Sequence, residues 1–179
     1  PRKVGERMNT QPTLHADRIE LRPLSSEDYE SLLKAASDPL IWEQHPQPDR
    51  YKSDVFKAFF AEAMESKGAL AIVDRKTSEV IGTSRFYQYS PADSSVVVGY
   101  TFLTRKYWGG AYNRELKKLM VNYALGFVKT TFFHVGLGNL RSQKAMLKIG
   151  AIETGVQEIP VSYAPPKKSR VYKIETPLL

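Results

Sequence analysis

Between residues 105 and 118 the chain reads Arg-Lys-Tyr-Trp-Gly-Gly-Ala-Tyr-Asn-Arg-Glu-Leu-Lys-Lys, a set of residue types that suits an anion. Gly109 and Gly110 make a tight turn. The apolar residues that follow, Leu116, Leu119, Met120, Tyr123, Ala124 and Phe127, fall three and four apart, as on one face of a helix. The first N–H groups of a helix have no partner within it, and they add to the positive end of its dipole. Such a turn is a ready site for phosphate. Five basic residues, Arg105, Lys106, Arg114, Lys117 and Lys118, stand against one acid, Glu115, so the segment carries four of the chain's seven net positive charges. The plainer reading is a loop that leads into a helix with a solvated basic face. Neither Gly-x-x-x-x-Gly-Lys-Ser/Thr nor Gly-x-Gly-x-x-Gly is present, which argues against a P-loop NTPase and a Rossmann dehydrogenase.

The elements that would position this turn can be traced along the chain. An apolar run, Val96 to Leu103, precedes it as a strand. Upstream, a strand fits Ala16 to Leu24, with Ile19 and Leu21 alternating with charged residues. Ser25 or Ser26 then caps a helix with Tyr29, Leu32, Leu33 and Ala36 on one face. The proline-rich stretch Pro39 to Pro48 reads as a loop, and Ser53 as the cap of a helix bearing Val55, Phe56, Phe59, Phe60, Ala63 and Met64. Strands at Ala69 to Asp74, Val80 to Tyr89 and Val96 to Leu103, separated by turn residues, predict an antiparallel meander. Beyond the central helix, Phe132 to Leu137 is a strand and Asn139 caps a helix with Leu140, Ala145, Met146, Leu147 and Ile149 apolar, ending at Gly150. Two last strands fit Ala151 to Pro160 and Arg170 to Thr176, with Pro165-Pro166-Lys167-Lys168 as the loop between them.

Composition narrows the function classes. At 179 residues, 42% hydrophobic and 25% charged, the chain suits one globular domain able to bury a sizeable core. It contains no cysteine, which excludes disulfides, a thiol nucleophile and cysteine-ligated zinc, and fits a reducing compartment. His15, His45 and His134 lie far apart with no metal-ligand spacing and read as lone structural or surface histidines. No apolar run is long enough for a membrane span and no signal peptide is evident, so a cytoplasmic protein is expected. Residues 1–12 are polar and basic and read as a disordered tail or a remnant foreign to the domain, which would span 13–179. A pI near 9.5 favours anionic partners. The interleaved basic and aromatic pattern of an RNA-binding sheet is absent.

The order β-α-α-β-β-β-α-β-α-β-β, with the glycine turn after its fourth strand, resembles the GCN5-related N-acetyltransferase (GNAT) family over roughly residues 13 to 177. Within the family it resembles the group that acetylates ribosomal-protein N-termini. Four segments carry the resemblance: Leu14 to Leu24, Tyr107 to Glu115, Asn139 to Ser142 followed by Met146 to Ala151, and Arg170-Val171-Tyr172. It implies a single-domain α/β (α+β) fold, a mixed and mostly antiparallel sheet flanked by helices. The family's pyrophosphate loop, Gln/Arg-x-x-Gly-x-Gly/Ala, falls here on Trp108, Gly109, Gly110, Ala111, Tyr112 and Asn113, with Arg114 next. Trp, Ala and Asn replace the usual first, middle and last residues of that pattern.

By this resemblance the cosubstrate is acetyl-CoA and the partner a primary amine, either a protein N-terminus or a small molecule. No membrane or direct nucleic-acid partner is expected, and the chain would act as a monomer or homodimer. Backbone groups of Phe102, Leu103 and Thr104 would hold the pantetheine arm and polarise the thioester. Asn139 and Ser142 match the subgroup's Asn-x-x-Ser, in which the hydroxyl protonates the leaving thiolate; the plainer roles are helix cap and third helical residue. Many members place a Tyr seven residues after that Asn, where this chain has Met146, so Tyr172 stands in reserve as donor. Glu43, His45, Asp93 and Glu158 are candidates for the general base, Glu43 foremost, and each could equally be an ordinary surface residue. Trp42 would wall the acceptor pocket or simply pack in the core. The rival readings are a non-catalytic acyl-CoA-binding sensor or scaffold of the same fold, and a basic nucleic-acid-binding domain.

Overall fold

Apolar alternation from Ala69 to Leu103 builds the centre of the sheet, because successive side chains of a strand point to opposite faces. Leu70, Ile72, Val96, Val98 and Leu103 pack on one face, and Ala69, Ala71 and Phe102 on the other. Both faces are therefore covered by helices. The structure, a computed structural model, describes residues 3, 5–161 and 164–179. Among these the strands are β1 (Leu14–His15), β2 (Ile19–Pro23), β3 (Ala69–Asp74), β4 (Val80–Ser90), β5 (Ser95–Leu103), β6 (Thr130–Gly136), β7 (Ile152–Val161) and β8 (Ala164–Ile174). The helices are α1 (Tyr29–Ala36), α2 (Ser53–Glu65), α3 (Ala111–Leu125) and α4 (Leu140–Lys148). One sheet runs in the order β1-β2-β3-β4-β5-β6-β8-β7, antiparallel throughout except between β5 and β6.

The two faces have different cores. Leu116, Met120, Val121 and Ala124 of α3, none measurably exposed, bury against Leu70, Ile72, Phe86 and Val96 on one face, with Met146 of α4 alongside. On the other, Leu32 and Ala36 of α1 and Phe56, Phe59, Phe60 and Ala63 of α2 meet Ile41, Trp42 and Phe102. Each large side chain so buried contributes about 1.5–3 kcal/mol. Among the described residues, no helix is long and apolar enough to cross a membrane.

Several local expectations are corrected. A short strand, β1, precedes the first expected strand and pairs Leu14 with Leu21. The proline-rich loop contains a 3₁₀ turn at Pro39–Ile41, started by Asp38, whose carboxylate accepts the Leu40 N–H. Ser53 is the first residue of α2 rather than its cap; Lys52 holds the cap position and makes no side-chain bond there. Phe127 lies just past the end of α3, and Leu140 and Leu147 of α4 are more than half exposed rather than facing the core. Pro165 to Lys168 is not a loop but the start of β8, pairing Lys168 with Glu158 and Lys167 with Ile159. The prolines are tolerated there because β6 pairs with β8 only from Ser169 onward, so the N–H groups they lack face no strand on that side. Residues read as a tail make contacts: Met8 is buried and its N–H donates to the Tyr89 hydroxyl, while Gln11 Nε2 donates to the Ala69 carbonyl.

Candidate functional site

Strands β5 and β6 are hydrogen-bonded only at their start, where Ser95, Val96 and Val97 pair with Thr130, Thr131 and Phe132. Both strands continue, to Leu103 and Gly136, without pairing. Their facing edges separate into a split, and a cavity of about 990 Å³ opens there, lined by residues 98–103 of β5 and 133–136 of β6. An unpaired strand edge exposes a row of backbone donors and acceptors. Tyr100, in the left-handed region at φ 52°, marks a bulge where the β4 register slips between Thr83 and Arg85. Beyond it, Thr104 N–H donates to the Ile81 carbonyl of β4. By the alternation of an antiparallel ladder, the backbone of Leu103 then points away from β4, into the split. The indole Nε1 of Trp108 occupies the Leu103 carbonyl at 2.9 Å, which leaves the Leu103 N–H facing the cavity.

At the end of β5 the chain makes a 3₁₀ turn, Arg105–Tyr107, and runs through Trp108, Gly109 and Gly110 into α3. Gly109 sits at φ +69°, a left-handed conformation that explains the glycine. Gly110 caps the helix without any side-chain bond, so the first N–H groups of α3 stay bare. Trp108, Gly109, Gly110, Asn113, Arg114 and Lys117 all line the cavity. Asp74 clamps the turn from below, accepting from Tyr107 at 2.8 Å and Tyr112 at 3.2 Å, the tyrosines on either side of the glycines. Burial pushes its carboxyl up in pKa, but these bonds and the Lys76 N–H outweigh burial and hold it below the ordinary value. Lys117 lies deeper, its ammonium 5.1 Å from the Phe133 ring centre, and burial lowers its pKa to about 8.

The third wall comes from the loop before α2 and from α4. Trp42 is fully buried, held by its indole N–H on the Ala36 carbonyl, and lines the cavity beside His45 and Arg50. Asn139 caps α4 by accepting the Ser142 N–H at 3.3 Å, which sets Ser142 at the cavity wall. Arg141 stacks 3.6 Å over the Trp108 ring, and its own N–H donates to Gln44. The turn, the loop and α4 are thereby tied together.

The structure thus brings together Phe102, Leu103, Trp108, Gly109, Gly110, Asn113, Arg114, Asn139 and Ser142 around one cavity. Ala111 and Tyr112 contribute backbone at the first turn of α3, with the Tyr112 side chain turned to Asp74. Thr104 does not line the cavity; its hydroxyl, like its N–H, bonds to Ile81. Tyr172 is 1% exposed in the core, opposite Phe133, and does not line the cavity either. Glu43 and Glu158 are exposed outside it, and Asp93 closes the β4–β5 turn by accepting from Ser90. Among the described residues no Asp or Glu lines the cavity. Sequence reasoning missed His134 and Tyr87, which do, with His134 Nδ1 and the Tyr87 hydroxyl 3.1 Å apart. Burial lowers the pKa of His134 and raises that of Tyr87, so both are neutral at pH 7. His45 also lines the cavity, but its Nδ1 accepts from the Gln47 N–H and its Nε2 faces Arg50 at 3.4 Å. No local pattern signals the His134 pairing, because its partner is 47 residues away on another strand.

An acetyltransferase (GNAT) domain model matches residues 18–152. No curated protein matches the sequence. Among solved structures, a GNAT-family acetyltransferase from Chromobacterium violaceum ATCC 12472 superposes with a TM-score of 0.81 at 16% identity, over 98% of this chain and 93% of that one. A Vibrio cholerae protein assigned as a ribosomal-protein-serine acetyltransferase gives 0.74 at 14% identity, over 94% and 100%. The microcin C7 self-immunity acetyltransferase MccE, solved with acetyl-CoA and AMP, gives 0.72 at 16% identity, over 90% and 94%.

Proposed function

The chain belongs to the acetyltransferase (GNAT) domain family, and from that premise we propose that it transfers the acetyl group of acetyl-CoA directly to a primary amine. The observation that carries the reading is the cavity itself, a split between parallel strands that opens onto the bare N-terminus of a helix. The residues present fit the cosubstrate. A left-handed Gly109, an uncapped α3 and Arg114 suit a pyrophosphate, and the open strand edge suits an amide-bearing arm. When bound, acetyl-CoA supplies an activated thioester.

This chain's residues would then do three things. The Leu103 N–H, directed into the split, holds and polarises a carbonyl oxygen. Ser142 donates a proton to the departing sulfur. His134 takes the proton of the amine in the tautomer whose Nδ1–H donates to the Tyr87 oxygen, 3.1 Å away, since that tautomer has Nε2 as its basic nitrogen. His134 replaces Glu43, His45, Asp93 and Glu158 as the preferred base because it is the cavity-lining group with a ring nitrogen uncommitted. Tyr172 remains second to Ser142 as donor, since reaching the cavity would require it to leave the core.

The acceptor reading includes a protein N-terminus, in keeping with the ribosomal-protein-serine acetyltransferase among the structural neighbours, and small amines. The deciding experiment is release of free thiol from acetyl-CoA against a panel of N-terminal peptides and amines. Amine-dependent release supports the enzyme. Binding of acetyl-CoA with no release for any amine would favour the sensor reading.

A further inference from the structure

The α1/α2 side of the cavity contains more buried positive charge than the protein neutralises. Arg50, just before α2, is 3% exposed and lines the cavity. One of its terminal nitrogens donates to Gln47 and the other lies 3.4 Å from His45 Nε2, while its Nε has no hydrogen-bond partner among the described residues. Arg85 of β4, also 3% exposed, stands behind it. Its Nη1 reaches Glu62 at 3.4 Å, and its Nε and Nη2 have no hydrogen-bond partner among the described residues. That Nε–Nη2 edge is the planar fork that grips oxyanions two-pronged.

Aromatic rings fill the remaining space. The Arg50 guanidinium lies 4.4 Å from the Phe59 ring centre and Arg85 lies 3.9 Å from that of Tyr100. Rings stabilise a cation from their faces but accept none of its in-plane N–H bonds. Burial lowers Arg50 to about 10 in pKa, so it remains charged at pH 7. Arg85 thus meets one carboxylate, Glu62, while Arg50 forms an ion pair with none among the described residues and feels Glu62 and Asp49 only from a distance; a charge left without its counter-charge in a protein interior is strongly unfavourable. The cavity offers no other remedy, since no acid lines it among the described residues. Nor is this charge placed for the phosphate turn. Arg50 packs with Trp42 and Phe59 on the α1/α2 face, whereas α3 covers the opposite face.

We propose that Arg50, backed by Arg85, anchors an acceptor that carries an oxyanion, a carboxylate or a phosphate, close to its reacting amine. The inference rests on the acetyltransferase reading for the amine, but the anion site stands on its own geometry. Arg50 positions the acceptor and takes no part in proton transfer.

Two arms test it, both with coenzyme A or acetyl-CoA saturating, so that the phosphate turn is occupied. The first measures binding, by calorimetry, of β-alanine, O-phosphoethanolamine, ethanolamine and 1,3-diaminopropane. β-Alanine or O-phosphoethanolamine should bind at least about tenfold tighter than ethanolamine and 1,3-diaminopropane, which carry no oxyanion, the scale of one charge-assisted bond. Which anionic amine binds tighter distinguishes carboxylate from phosphate. R50M should abolish the preference with the coenzyme A affinity unchanged, and R50K, the milder change, should retain part of it. The second arm measures acetyl transfer to the same amines, with KM rising and kcat little changed in R50K. Anion binding without transfer overturns these amines as acceptors and leaves the anion site standing. Equal or better binding of 1,3-diaminopropane, or a preference unaltered in both variants, overturns the anion site.

Discussion

In the proposed reaction Ser142 and His134 divide the proton traffic between them, and they differ in how far the sequence discloses them. The place of Ser142 at the cavity wall is legible because Asn139-x-x-Ser142 is local, and the same Asn139 side chain that caps α4 fixes its position. That of His134 is not, since a lone histidine in a strand gains its meaning from Tyr87 on another strand. Ser142→Ala should lower kcat at least about a hundredfold, the usual effect of removing a positioned proton donor, with the Kd for acetyl-CoA unchanged. Single-turnover rates measure the first quantity and calorimetry the second; a loss below threefold would leave Ser142 as a cap residue. His134 supplies a pH signature. Burial lowers its pKa below the ordinary 6.5, so the base form predominates at pH 7 and kcat/KM should fall as pH drops through that lowered value. His134→Gln should lose that acidic limb together with about 10²- to 10⁴-fold in rate.

At the scale of elements, the turn into α3 was the most legible part of the chain, because glycines, basic residues and helical apolar spacing follow one another between residues 105 and 127. What the sequence could not disclose was its clamp: Asp74 closes β3, some 30 residues earlier, yet receives Tyr107 and Tyr112. The β7–β8 hairpin was misjudged at Pro165 and Pro166, because proline excludes a central strand but not one paired on a single side. Two variants separate the turn's chemistry from its support. Ala111→Glu places a carboxylate at the bare helix N-terminus and should abolish acetyl-CoA binding while leaving the apo melting temperature nearly unchanged. Asp74→Ala strands two tyrosine hydroxyls and should cost about 1–3 kcal/mol of stability, measured by urea denaturation. It has a pH signature too. Because the folded carboxyl sits below its ordinary pKa, its contribution is present above that ordinary value and is lost as pH falls through the lower one.

Across the whole molecule, the cavity trades stability for charge, and Lys117 shows the trade most simply. It is buried on α3 with its ammonium over Phe133, and burial alone brings its pKa to about 8 from an ordinary 10.5. Below pH 8 the folded protein bears the full cost of the buried cation. Between about pH 8 and 10.5 the unfolded chain holds a proton that the folded one has released, so stability rises with pH across that window. The slope attributable to this group is at most about 1.4 kcal/mol per pH unit. Lys117→Met keeps the length and removes the charge; it should raise the apo melting temperature at pH 7, and the gap to wild type should close by about pH 10. The compensation arrives with the ligand. In the proposed complex, phosphates at the α3 turn would bring negative charge into the same cavity, and a hundredfold excess of acetyl-CoA over Kd should add about 2.7 kcal/mol, roughly 5 to 10 °C for a chain of this size. At pH 9, where Lys117 is mostly neutral without ligand, that binding should take up protons, and calorimetry in buffers of different ionisation heat would measure the uptake. Lys117→Met should abolish most of it. Equal uptake in the variant would move the linked proton to another group and leave Lys117 a packing residue.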